Sequence, residues 1–440
     1  MRASTVKITK IIVIIFYIAL FTGLALYDEK PNDEMVKEMT RPLPEVIEPD
    51  NAYIAFIGFA SPKGITPYDY GAEKMRKLKD ALLTEKVTGK MTNPFDHKKN
   101  ELSYKGEIVS FYNPKMTKIL DYAAKHPNEI AHLVQENEEL LRRYEMLYRY
   151  SHYTEPLDCG FFYPFAEFNL FFWRVQRTKL LQLALRANRG DVAEALAWVR
   201  KDAEFWRFIA RNSTTFMSKA RSFSALSNDL LFVSELGVYQ SLNRKEMEML
   251  QNILRPFDHG EVAMAEVLLG EARLTQTALG LWNPQKKRTF ELDNFFLKQN
   301  ATKNRMYAIY QEKIRLAELP PQEFAIEFRN PQTSKYRSLR GIGIPFLYNP
   351  VGEILVKIGG PLYGMLIPAH NMEGLRRLAW LKVLAGIEKV PLEKMQQFLD
   401  DHARDLGNPY TGGSMMWNPA KGSIYFNDLN TRKKPVEIFL

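Results

Sequence analysis

The sequence predicts a mainly α-helical fold, an irregular multi-helix bundle closed by a small C-terminal β-hairpin and preceded by one N-terminal transmembrane helix. Apolar residues recur at three- and four-residue steps through most of the chain. Two short apolar stretches bounded by turn residues lie near the C-terminus, and Ile11 to Tyr27 is an unbroken apolar run.

The run carries no charged side chain, with Lys7 and Lys10 before it and Asp28 and Glu29 after it. At ~1.5 Å per residue it is slightly short for a hydrocarbon core of roughly 30 Å, and continuation through Ile8 and Thr9 closes the gap. Arg2, Lys7 and Lys10 place the tail, residues 1–10, in the cytoplasm by the positive-inside rule. Everything after Tyr27 is then expected across the inner membrane. The competing reading is a cleaved signal peptide with Gly23 and Ala25 before the cut; the run exceeds the usual ~7–15-residue apolar region of such peptides, which favours the uncleaved anchor.

Residues 28–50, with Pro31, Pro42, Pro44 and Pro49 among acidic residues, read as an extended linker. Residues 51–440 read as an extracytoplasmic helical domain, with a subdivision near 331 left open. Of the 440 residues, 46% are apolar and 12% aromatic, which excludes a mostly disordered chain. The single cysteine, Cys159, excludes an intramolecular disulfide and reads as a buried structural thiol. The net charge of +9 is spread over Lys74 to Lys79, Lys98–Lys99, Lys286 to Arg288, Arg329 to Arg340 and Arg432 to Lys434. Solvated faces beside a negative membrane account for it more simply than a polyanion site, and the inferred topology argues against nucleic acid.

In chain order, Ala52 to Ala60 is a short apolar segment that periodicity leaves open between strand and buried helical turn. Tyr70 to Leu83 is a basic amphipathic helix. Asn128 is expected to cap a long helix through Ile130, Leu133, Asn137, Leu140, Tyr144 and Leu147. After the aromatic run Phe161 to Phe165, a helix from Pro164 to about Asn188 is ended by Gly190. Asp191 opens the next, with Leu196, Val199, Ala203, Trp206 and Ile209 inward, and a third runs from Asn212 or Ser213 to about Gly237. These three consecutive helices are the expected core.

Further helices are expected over Asn243 to Leu254, from Asp258 along a Val262, Ala265, Leu269, Ala272 and Leu279 stripe, and over Ala301 to Leu319 before Pro320-Pro321. Ile342 to Ile367 is apolar, but its prolines, Glu353 and Lys357 favour buried or membrane-surface packing over a second span. Met372 to Ile387 and Pro391 to Leu406 are helical, and Ser414 to Trp417 with Ser423 to Phe426 form the hairpin.

Asn349-Pro350, the helix pair, the Asn408-Pro-Tyr-Thr-Gly412 turn and the aromatic hairpin follow in order. This last quarter resembles the close of a group of membrane-anchored bacterial helical proteins. The resemblance implies the topology and no activity.

No P-loop, dinucleotide fingerprint or Gly-x-Ser-x-Gly elbow occurs, which argues against nucleotide and ordinary esterase chemistry. Glu129 and His132 share a helix face without the paired-histidine spacing that favours zinc, so neither metal nor cofactor is expected. The residues of most interest are charges embedded in the aromatic helices: Glu167, Arg174, Asp202, Arg207 and Lys219. They form either a structural ion-pair network or a polar cleft with aromatic walls. The leading expectation is a non-enzymatic envelope scaffold or binding protein, its partner an envelope protein or a cell-wall glycan. A glycan hydrolase or lytic enzyme with Glu167 or Glu271 as its single acid, and a lipid or peptide carrier, are the alternatives.

Overall fold

The computed structural model describes residues 27–88, 100–107, 119–159, 172–239, 242–278, 296–329, 348–359, 363–429 and 435–440, with the single positions 15 and 23. Nearly all of the apolar 11–27 run, and the 161–171 stretch that includes Glu167, lie outside the described residues. Among the described residues no helix is long and apolar enough to cross a membrane. The fold is mainly helical, with a small three-stranded antiparallel sheet at the C-terminal end.

The 28–50 stretch is not uniformly extended. Asn32 accepts the Met35 N–H and so caps α1 (Asp33–Met39), whose Met35 and Met39 are buried in the main core. Ala52 to Ala60 resolves as a helix followed by a turn: all of α2 (Ala52–Ile57) is buried, with Asn51 as its cap. It crosses α3 (Pro67–Thr88) at Gly58 and Gly71, where a Cβ would lie 1.8 Å from the Pro67 and Ile54 carbonyl oxygens respectively.

After α4 (Ile119–Lys125), the long helix expected from Asn128 is two, α5 (Pro127–Glu136) and α6 (Glu138–Met146). They part at Asn137, which is committed elsewhere: its Nδ2 donates to Leu133 O and Lys105 O, both at 2.9 Å, and its Oδ1 accepts the Lys105 N–H at 3.0 Å. A side chain that binds backbone of another segment competes with a continuous helix.

The expected three-helix core is present as α7 (Phe172–Ala187), α8 (Val192–Asn212) and α9 (Phe216–Tyr239). Leu196, Val199, Ala203, Trp206 and Ile209 of α8 are all buried, as their spacing requires. Next come α10 (Arg244–Ile253), α11 (His259–Val262) and α12 (Ala265–Ala278). The stripe expected from Val262 to Leu279 is interrupted at Ala263, which is extended (φ −56°, ψ 140°). Val267 and Leu268 are buried while Ala265 and Leu269 are half-buried; Ala272 is buried as expected, and Leu279 lies outside the described residues.

Helix α13 (Gln299–Ala317) stops before Pro320, and Pro321 opens α14 (Pro321–Arg329). α15 (Pro350–Gly359) and α16 (Ile367–Ile387) follow, then α17 (Met395–Asp401) and α18 (Ala403–Leu406), separated at His402. The sheet contains the expected hairpin and one strand more. β1 (Met416–Asn418) pairs with β2 (Ser423–Phe426), and β2 with β3 (Val436–Phe439), in registers Trp417↔Ile424 and Ile424↔Ile438.

Helix α9 is the hub, packed along α8 and α16 and touching α7, α10 and α12. Its buried Ser222 and Ser227 hydroxyls donate to the carbonyls of Ser218 and Phe223 on the same helix, so small polar residues pack there without unpaired groups.

Candidate functional site

Where α7, α8 and α9 meet, they bury polar groups in separate centres. The first is built on Asp202 of α8 and Asp229 of α9, both inaccessible to solvent. Gln176 Nε2 donates to Asp202 Oδ2 at 2.7 Å and Asp229 Oδ1 at 3.2 Å, while the Tyr144 and Tyr148 hydroxyls donate to Asp202 Oδ1 at 2.9 and 3.0 Å. Trp206 Nε1 supports Tyr144 at 2.7 Å, and Asn228 Nδ2 holds Gln176 Oε1 at 2.9 Å. Burial raises both carboxyls; donors from Gln176, Tyr144 and Tyr148 moderate the rise at Asp202, whereas the charge of Asp202 adds to it at Asp229.

The second centre lies one and a half turns further along α8. Arg207 Nη1 donates to Glu261 Oε2 at 2.6 Å, and its Nη2 donates to Arg255 O at 2.9 Å and Ile253 O at 3.2 Å. Its guanidinium also lies 4.2 Å from the Phe257 ring centre. Glu261 accepts from Arg255 as well, at 2.5 Å, and completes a capping box with Asp258 at the start of α11. Burial lowers the Arg207 pKa to about 10, with Glu261 opposing the shift and the charges of Arg255 and Arg376 adding to it. Lys219 is buried nearby: its Nζ donates to Ala210 O at 2.7 Å, and burial lowers its pKa to about 7 against the pull of Glu261 and Asp258.

Beside this pair a solvent-connected recess of about 240 Å³ opens between α8 and α10, with Arg200, Glu204, Arg207, Asn252 and Arg255 in its walls. Arg207 is its buried member; the side chains of Arg200 and Arg255 are each 42% exposed. Arg200 reaches Glu204 only at 3.8 Å. The recess therefore combines two guanidiniums held by buried Glu261, those of Arg207 and Arg255, with that of Arg200, which is able to turn toward a ligand.

No protein family, curated protein or solved structure matches this chain.

The third centre is the N-terminus of α9. Glu155 accepts the Thr214 and Thr215 N–H groups at 2.6 and 3.1 Å and the Thr215 and Ser218 hydroxyls at 2.7 and 2.5 Å. Glu271 Oε1 accepts the Phe216 N–H at 2.7 Å; burial raises its pKa to about 7, Glu155 adds to the rise, and Lys313 opposes it. Helix α12 approaches this end so closely that a Cβ on Gly270 would lie 1.8 Å from Thr214 O.

The five residues singled out from sequence are thus not in one cleft. Arg207 pairs with Glu261, Lys219 is held by the Ala210 carbonyl, and Asp202 belongs to the aspartate pair. Arg174 stands apart, 5.2 Å from the Trp173 ring centre and 5.6 Å from that of Tyr104. Glu167 lies outside the described residues. Asp229, Glu261, Arg200 and Arg255 carried no sequence signal beyond being charges on helical stretches; only Asp258-x-x-Glu261, a capping-box spacing, marked that junction. Cys159 is buried with its thiol toward Pro156 O at 3.2 Å, and burial raises its pKa. Among the described residues no three His, Cys, Asp or Glu side chains are grouped to hold a metal ion.

Proposed function

We propose that this is a membrane-anchored extracytoplasmic helical protein of the cell envelope that acts by binding, and that the recess between α8 and α10 receives an anionic group of its partner. The observation that supports the binding reading is the arrangement of Arg200, Arg207 and Arg255 around one open recess, with Arg207 already oriented by Glu261 and two carbonyls. Preorganised guanidiniums suit carboxylate and phosphate oxygens, and ordering them in advance lowers the entropic cost of binding. The flanking charges of the 11–27 run support the anchored topology.

The test is calorimetric titration of the full chain in detergent with inorganic phosphate and with citrate, at low salt. Binding that weakens about tenfold, or ~1.4 kcal/mol, in Arg200→Glu and Arg255→Glu supports the reading. Undiminished binding by both variants, or none by the wild type, contradicts it. Crosslinking and pull-down from native membranes then identify the partner.

Glu271 favours a second reading, a glycan hydrolase, because a carboxyl held near neutrality by burial has the property of a general acid. Its neighbour Glu155 is saturated by donors, however, and neither the arginine recess nor the 170 Å³ recess between α3 and the 155–159 segment is lined by Glu271. An enzyme of this kind loses hydrolysis of cell-wall glycan in Glu271→Gln at unchanged melting temperature.

A further inference from the structure

We infer that the face carrying α15 rests on the bilayer surface, so that the protein meets the membrane at two places, the 11–27 segment and this face. The inference depends on the anchored reading above and adds to it where the folded body sits.

The chain leaves the apolar run without slack. Tyr27, its last residue, has its ring 6.5 Å from that of Tyr348, and the Tyr348 hydroxyl donates to Tyr27 O at 3.2 Å. Asp28 then caps α13, its carboxylate accepting the Asn300 and Ala301 N–H groups at 3.0 and 3.1 Å. Asn300 and Asn304 donate to Glu29 O and Lys30 O, both at 2.9 Å, and Asn304 Oδ1 accepts the Asn32 N–H at 2.8 Å. A membrane segment ending at Tyr27 therefore brings the start of α13 and Tyr348 to the lipid boundary.

Helix α15 begins two residues after Tyr348 and is apolar on both sides, with Val356 fully buried against Met306 and Ile309. Its inner side also carries the polar contacts: Glu353 pairs with Arg305 at 3.0 Å, and the preceding Asn349 binds the Lys298 N–H at 2.8 Å and Thr302 Oγ1 at 2.9 Å. Its outer side presents Val351 and Ile354, 38% and 47% exposed, and Phe296 and Tyr27 beside the same junction are 47% and 61% exposed. A helix facing water places its polar residues outward. Apolar residues outward, with two tyrosines at the point where the chain enters lipid, match the headgroup–acyl boundary, where amphipathic elements sink by roughly 5–10 Å.

The test places a nitroxide label at Ile354→Cys in the full chain, reconstituted in phosphatidylethanolamine–phosphatidylglycerol vesicles; buried Cys159 stays unlabelled. The control is Leu392→Cys, 57% exposed and lying past the C-terminal end of α16. Greater collision of the Ile354 label with oxygen than with a water-soluble nickel chelate, and the reverse at Leu392, is the expected result. Protein that floats with the vesicles but has a water-exposed label at Ile354 overturns this inference alone. Protein that does not float overturns the anchored reading with it. A label shielded from both reagents with or without lipid places a second copy on this face and also overturns the proposal.

Discussion

Asp202 and Asp229 share one amide: Gln176 Nε2 donates to the first at 2.7 Å and to the second at 3.2 Å, with both carboxyls fully buried. Burial raises the pKa of both carboxyls, and the charge of Asp202 raises that of Asp229 further, above the ~3.9 of an aspartate in the unfolded chain. The α8–α9 contact at the centre of the bundle is bridged by the Gln176 amide.

The pH dependence has a definite sign. With pKa values raised in the folded state, the pair favours folding most at acid pH, and this contribution declines as pH rises from about 4 through the folded values. Asp229→Asn keeps the shape and a donor toward Asp202 while removing the titration. It is expected to melt above wild type at about pH 8 and alongside it near pH 4. Melting curves across that range check this; a variant that melts lower at both ends contradicts it.

Lys219 acts in the opposite direction. Its folded pKa of about 7 lies below the unfolded value, so its burial costs stability at neutral pH and the cost is relieved as pH rises toward about 10. Lys219→Met is expected to gain on the order of 2 kcal/mol at pH about 7 and little at pH about 10, read from urea denaturation.

Arg207 and Arg200 line the same recess but differ in what they support. Arg207→Ala removes donors from two carbonyls and from buried Glu261, and is expected to cost about 3 kcal/mol. Arg200→Ala, at the exposed wall, is expected to stay within ~0.5 kcal/mol of wild type. Chemical denaturation separates them, and equal losses would contradict the placement of Arg207 as the fixed member.

Gly270→Ala pushes α12 from the start of α9, because the new methyl meets the Thr214 carbonyl oxygen; a loss of about 1–3 kcal/mol is expected. Gly364→Ala meets nothing within 4 Å and serves as the comparison, with little change in melting temperature.

The helical class, the core of α7 to α9 and the C-terminal hairpin were legible because long amphipathic stripes and Gly or Pro boundaries are local properties. Helix interruptions were not. Asn137 breaks α5 from α6 through bonds to Lys105, far away in sequence, and the Ala263 break redirects a stripe that still looks continuous on paper. β3 is four residues long and gains its meaning only from pairing with β2. Of the candidate site, Arg207, Lys219 and Asp202 stood out as charges on apolar helices, but their partners Glu261 and Asp229 are fixed by packing, and spacing carries no record of that.

The measurement that bears most directly on the account is the side of the membrane on which the C-terminus lies. Fused after Leu440, an alkaline phosphatase that folds only outside the cytoplasm is expected to be active, membrane-bound and dependent on residues 11–27. An inactive phosphatase fusion together with a fluorescent cytoplasmic reporter at the same position would contradict it.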